Sequence, residues 1–149
     1  MELIRYDPRK HRDMLKNLVE AFDYRTFDPI DIDAFLKELD KRALDLLLRN
    51  SIVLAFEGET LVGAGFFTIW TNHLGQKKCE IHQVIVRKED SFKKGIEEMI
   101  MKELFYYVKS AMNIQKVYLF CREKDINFKS LLMKMGIKKV NYEYYEHPL

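Results

Sequence analysis

Two cysteines, three prolines and six glycines in 149 residues exclude several classes at the outset. Cys79 and Cys121 alone cannot build a disulfide framework. With so few helix and strand breakers the chain carries no linker, no low-complexity tract and no internal repeat. No charge of one sign dominates: 25 Lys and Arg oppose 23 Asp and Glu for a formal +2. Bulk charge therefore selects neither nucleic acid nor an acidic membrane surface as partner. The N-terminus shows no signal-peptide apolar core, and no apolar run reaches membrane-spanning length, so a reducing cytoplasm is the expected setting. What is present is a hydrophobic fraction of 48%, enough for one compact domain with a full core over residues 1–149.

Periodicity gives an alternation of strands and helices. Glu2–Tyr6 reads as a strand, and Asp7-Pro8 supplies an N-cap and a first-position proline for a helix carrying Leu15, Leu18, Val19 and Phe22. After Asp28-Pro29 a second helix carries Phe35, Leu36, Leu39, Ala43, Leu46 and Leu47 on one side. Ser51–Glu57 and Thr60–Thr71 form an antiparallel hairpin about Gly58-Glu59, followed by a loop at Asn72–Gln76. Lys77–Val86 reads as one long strand, and Ile96, Met99, Ile100, Leu104, Val108 and Met112 mark a long amphipathic helix. Lys116–Cys121 is a short strand, Asp125–Met135 a helix closed by Gly136, and Lys139–Tyr145 a last strand with alternating aromatics. Phe66, Phe67, Trp70, Phe105 and Phe120 are expected to fill the core.

The unit most telling for function runs from Val84 to Glu97. An apolar strand end passes through a polar, basic loop into a helix, an arrangement that aims backbone N–H groups at a phosphate. With this unit in place, the whole chain resembles the GCN5-related N-acetyltransferase superfamily. The resemblance rests on the element order, on Phe92-Lys93-Lys94-Gly95-Ile96-Glu97 at the pyrophosphate loop, and on Met135-Gly136-Ile137 at the turn ending the closing helix. It implies an α/β (α+β) fold: a mixed, mostly antiparallel sheet of six to seven strands with about four helices. The fourth and fifth strands, here Cys79–Val86 and Lys116–Cys121, would splay around acetyl-CoA.

The implied function is an N-acetyltransferase that moves an acetyl group from acetyl-CoA to a primary amine by direct attack, with acetyl-CoA as co-substrate. An acceptor amine must lose a proton and the CoA thiolate must gain one, so a carboxylate base and a tyrosine acid suit the reaction. Glu80 matches the position of the base in some members, and strand alternation would put it on one face with His82, Val84 and Val86. Tyr118 is the candidate acid, with Tyr142, Tyr144, Tyr145 or water as substitutes, since Leu132 stands where the family places its tyrosine. The cofactor-binding set implied is Val84, Ile85 and Val86 for the pantetheine arm and Phe92, Lys93, Lys94, Gly95 and Ile96 for the pyrophosphate. The acceptor pocket would lie between the first two helices and their connection Asp23–Asp33, bounded by the hairpin turn and the Trp70–Gln76 loop; Asp23, Asp28, Asp31 and Asp33 would favour an amine there or simply cap helices.

Several residues run against the pattern. Phe92 replaces Arg or Gln, the loop is one residue longer, and Glu97 replaces a small residue; its carboxylate would either repel phosphates or point outward along a first turn that suits negative charge. These departures support an alternative, a catalytically inactive member of the fold that serves as a binding or assembly module. No metal is expected, because Cys79 and His82 alternate to opposite faces with no second ligand pair. The expected partner is a small-molecule or peptide amine, with no nucleic acid and no membrane; a homodimer through the late strands at Tyr142–Tyr145 is a further expectation.

Overall fold

A computed structural model describes residues 1–22 and 29–149. Helix starts follow the capping chemistry. β1 (Glu2–Arg5) leads to Asp7, whose Oδ1 accepts the Arg9 N–H at 2.9 Å, and α1 (Pro8–Ala21) begins at the proline. Asp31 caps α2 (Ile32–Ala43) by accepting the Ala34 N–H at 3.0 Å, and Asp125 caps α4 (Ile126–Lys134) by accepting the Phe128 N–H at 3.1 Å. Gly136, at φ +75°, then ends α4.

α2 is shorter than its apolar spacing suggests. The Asp45 carboxylate accepts the N–H groups of Leu47 and Leu48 at 2.8 and 3.1 Å, a local bond that competes with helix continuation. Leu46 and Leu47 therefore lie beyond the helix, and Leu46 is 82% exposed.

β2 (Ile52–Glu57) and β3 (Thr60–Thr71) form the expected hairpin, with Gly58 at φ +60° in its turn. β4 (Lys77–Ile81), β5 (Ile85–Val86), α3 (Ile96–Met112) and β6 (Val117–Leu119) complete the order. The six-stranded sheet runs β1-β2-β3-β4-β6 with β5 also on β3; β6 alone pairs in parallel, on β4. α3 and Phe128 of α4 cover one face, and α1 and α2 cover the other, each over its own apolar core. Each fully buried Leu, Ile or Phe in these cores contributes about 1.5–3 kcal/mol.

Two expectations are corrected. Lys139–Tyr145 forms no strand: β6 is three residues long and offers little ladder to extend. The tail instead lays single aromatic rings on the sheet, Tyr144 at 5.6 Å from Phe120 and Tyr142 at 5.7 Å from the Lys78 ammonium. Trp70 and Phe120, at that open end of the sheet, are 38% and 45% exposed rather than core.

The second correction concerns Lys77–Val86, which is two strands. Ile81 faces Phe67 and Ile85 faces Ala64, so four steps of chain oppose three on β3. The extra residue is a bulge at 82–84, and it reverses the alternation of faces. Cys79, Ile81, Val84 and Val86 all enter the α3 core, whereas Glu80 and His82 face α2. Glu80 and His82 thus share a face with each other but not with Val84 and Val86.

α3 approaches the sheet closely at Gly63 and Gly65. A Cβ on Gly65 would stand 2.3 Å from Cγ2 of fully buried Ile100. Gly65→Ala should cost ~1–3 kcal/mol through overpacking, despite the usual gain of replacing a strand glycine, as read from a urea midpoint. No loss would mean that α3 is free to shift.

His11 links stability to pH. Its Nδ1 accepts the Asp7 N–H at 2.9 Å, which requires an unprotonated nitrogen, and burial pushes its pKa below the ordinary 6.5. The unfolded chain then binds the proton first, so stability is full above pH ~6.5 and declines as pH falls through and below it. The carboxyls of Asp40, Asp90 and Glu98 are held below their ordinary values by cationic partners and stay ionised across this window. Urea midpoints should fall between pH 7.5 and 5.5, and His11→Gln should flatten that fall; an unchanged slope would contradict the assignment.

Candidate active site

The bulge also opens the sheet. β6 pairs only with Cys79, Glu80 and Ile81, while Ile85 and Val86 pair only with β3. Past Ile81 the two strands separate, and among the described residues the outer edge of β5 has no strand partner. Val84 and Val86 point their side chains into the α3 core, which leaves their main chain as the part available at this edge.

Beneath the opening, on the α2 side, lies a cavity of about 280 Å³. Val19, Phe22, Ile30, Phe35, Leu39, Phe66 and Ile85 give it an apolar wall; Glu38, Arg42, His82 and Gln83 give it a polar one. Phe35 meets Phe66 edge-on at 6.2 Å, which fixes the aromatic part. Neither the Gly58-Glu59 turn nor the Trp70–Gln76 loop lines this cavity. Asp23 and Asp28 fall outside the described residues; Asp31 is occupied as the α2 N-cap, and Asp33 lies in its first turn.

A hydrogen-bonded chain stands behind the polar wall. Arg42, 8% exposed, donates from Nη1 to Phe67 O at 2.7 Å and to Ser51 Oγ at 3.0 Å, from Nη2 to Thr68 Oγ1 at 2.5 Å, and from Nε to Glu38 at 3.3 Å. Every branch of the guanidinium is engaged, as a buried cation requires. Thr68 Oγ1 in turn lies 2.5 Å from His82 Nε2. Burial, then the Arg42 charge, lower the His82 pKa, while Glu80 opposes them. His82 is therefore a neutral imidazole at pH 7, held by one nitrogen and placed at the cavity wall.

Glu80 sits beside this chain, opposite Thr68 on β3 and Tyr118 on β6. Tyr118 lies under two ammonium groups, Lys78 at 5.3 Å and Lys116 at 5.6 Å from its ring. Leu132 packs against the α3 core and offers no proton. Burial pushes the Cys79 thiol up to about 11, so no thiolate nucleophile stands here, and Cys121 contacts the Arg122 and Asp125 carbonyls. Among the described residues no three His, Cys, Asp or Glu cluster as a metal site.

The loop into α3 departs from a bare phosphate cradle. Gly95, at φ +73°, is the N-cap of α3 and provides no side-chain cap, so the first-turn N–H groups lack intrahelical partners. Phe92, at φ +58°, turns its ring onto Phe128 at 6.5 Å and serves as a packing anchor. Its N–H donates to the Glu97 carboxylate at 2.8 Å. Lys94 pairs with Asp90 at 2.9 Å and with Glu57 at 3.4 Å, whereas Lys93 projects outward and Ile96 is buried.

Arg42 and Thr68, which hold His82 at the cavity wall, are not among the residues singled out from the sequence. The signal was an arginine continuing the apolar spacing Phe35, Leu39, Arg42; apart from Glu38 one turn back, its partners lie 9 to 26 residues away and no local pattern joins them.

No family sequence model matches the chain, and no curated protein matches it. Solved structures do. A ribosomal-protein-alanine N-acetyltransferase from Brucella melitensis biovar Abortus 2308 aligns over 100% of both chains with TM-score 0.72 and 14% identity. An aminoglycoside antibiotic 6'-N-acetyltransferase from Acinetobacter haemolyticus aligns over 100% of this chain and 99% of its own, with TM-score 0.74 and 10% identity. An aminoglycoside N-acetyltransferase solved with CoA aligns over 99% and 93%, with TM-score 0.78 and 7% identity. At such identities the likeness is one of backbone, and it carries no side chain of the site with it. Over nearly the whole of each chain the backbones follow one architecture, and the chain has the GCN5-related N-acetyltransferase fold.

Proposed function

We propose that the chain is an acyl-CoA-dependent N-acetyltransferase acting on an amine with an apolar or aromatic body. The observation that carries this reading is the coincidence of the strand opening at Ile85-Val86 with a cavity whose wall holds a neutral, hydrogen-bonded imidazole. The backbone of Ile85 and Val86 would bind the pantetheine arm, and Gly95, Ile96 and the lysines of the loop would face the phosphates. The acceptor nitrogen would enter from the cavity, where Phe22, Phe35 and Phe66 suit an apolar body.

In the reaction the amine nitrogen bonds to the thioester carbonyl carbon, the C–S bond breaks, and the amine proton passes to the base. His82 is the group at the cavity, and Glu80, on the same sheet face, is the carboxylate that raises its basicity. Tyr118, across β4–β6 from Glu80, or water returns a proton to the leaving thiolate. Soluble amine acceptors, with neither metal nor nucleic acid, would complete the system.

Acetyl-CoA at about a hundredfold excess over its Kd should stabilise the chain by ~2.7 kcal/mol, about 5–10 °C in Tm for a domain of this size. With an aromatic primary amine added, free thiol should accumulate. His82→Gln should lower kcat/KM by roughly 10²–10³ while leaving the acetyl-CoA KM in place. Wild-type kcat/KM should be level above pH ~6.5 and decline below it as the imidazole protonates, provided the base is neutral histidine. Stabilisation without any turnover would favour the second reading, a non-catalytic binding module, for which Leu132 and the Glu97 carboxylate in the loop are the supporting observations.

A further inference from the structure

Glu97 is 1% exposed, and the structure gives that carboxylate specific partners. Its Oε1 accepts the Phe92 N–H at 2.8 Å and the Ser91 hydroxyl at 3.3 Å. A buried charge survives only when paired or hydrogen-bonded, and here the donors come from the turn that opens α3. The turn is bent to provide them: Phe92 holds φ +58°, a conformation uncommon for a bulky residue, and Gly95 holds φ +73°.

The surrounding cations are committed as well. Asp90, itself buried, accepts Arg87 through Nε at 2.8 Å and Nη2 at 2.5 Å and pairs with Lys94 at 2.9 Å. Glu89 adds a second carboxylate to Arg87 at 3.3 Å. The loop therefore already holds anions of its own, and one of them is bonded to a main-chain donor of the kind that would receive a phosphate.

We propose that Glu97 is an internal ligand of this loop that competes with the diphosphate of the CoA donor, and so narrows the margin by which the site binds CoA over pantetheine thioesters. The inference rests on the acyl-CoA reading above. A diphosphate on the first-turn N–H groups of α3 meets the Glu97 charge within the same turn, and like charges in such proximity oppose binding. A pantetheine thioester keeps the contacts along Ile85 and Val86 and meets no such repulsion.

Titration calorimetry of the full chain with CoA and with pantetheine, for wild type, Glu97→Gln and Glu97→Ala, tests this. Glu97→Gln retains an oxygen for the Phe92 N–H and removes only the charge, so it reports even if Glu97→Ala disturbs the loop. Both variants should bind CoA on the order of tenfold tighter or more, with pantetheine affinity changed by less than about twofold. Unchanged or weakened CoA binding in a folded Glu97→Gln, or equal tightening of pantetheine, would overturn the inference. A readout without variants is the Phe92 amide resonance, which should move on saturation with CoA and hold still with pantetheine; the reverse would also overturn it. If wild type and variants bind neither ligand, the acyl-CoA reading itself fails, an outcome distinct from CoA binding that ignores Glu97.

Discussion

One extra residue in the strand opposite β3 governs the rest of the molecule. Four steps from Ile81 to Ile85 oppose three from Phe67 to Ala64, and three consequences follow together. Face alternation reverses, so Val84 and Val86 join Cys79 and Ile81 in the α3 core. His82 stays on the α2 side, where Thr68 and Arg42 hold it. The ladder to β6 stops at Ile81, which leaves the opening. A regular strand would close the sheet and move the second half of its hydrophobic set to the wrong face. Bulges of this kind commonly stand next to active sites because they re-aim a side chain while ending a ladder.

The two sides of this opening have contrasting electrostatics. On the α2 side a buried guanidinium has all its branches engaged and lends order, through a hydroxyl, to a neutral imidazole. Such a network orders the imidazole through a shared hydroxyl. On the α3 side the carboxylates of Asp90 and Glu97 fill a turn that would otherwise present positive charge and free N–H groups. Under the proposed reading, the first arrangement would serve proton removal from an amine, and the second would restrain binding of a diphosphate. On that reading, the thioester end of the donor would meet an ordered wall and its phosphate end a turn that is partly self-occupied.

Much of this was legible locally. Asp7-Pro8 announced the first helix start through a cap that needs only neighbouring N–H groups, Asp31 and Asp125 prove to cap the helices they precede, and Gly58 and Gly136 marked their turns by φ values that favour glycine. The unread parts depend on distant partners. Nothing near residue 82 reveals a bulge, because the extra residue is defined only against β3. Arg42 looks like a surface cation until Ser51, Phe67 and Thr68 surround it. The tyrosines of 139–145 alternate as a strand would, yet β6 offers too short an edge to extend. Of the two sequence readings of Glu97, repelling or outward-pointing, the structure removes the second: the side chain turns inward and is satisfied by the loop itself.

On the proposed reading, the opening made by the bulge is a thioester site shared between β5 and the cavity beneath it. A crystal structure with a non-hydrolysable acetyl-CoA analogue tests it most directly. The pantetheine arm should be hydrogen-bonded along the main chain of Ile85 and Val86, with the carbonyl carbon adjoining the cavity on the His82 side. An analogue bound elsewhere, or with its carbonyl on the α3 face of the sheet, would contradict it.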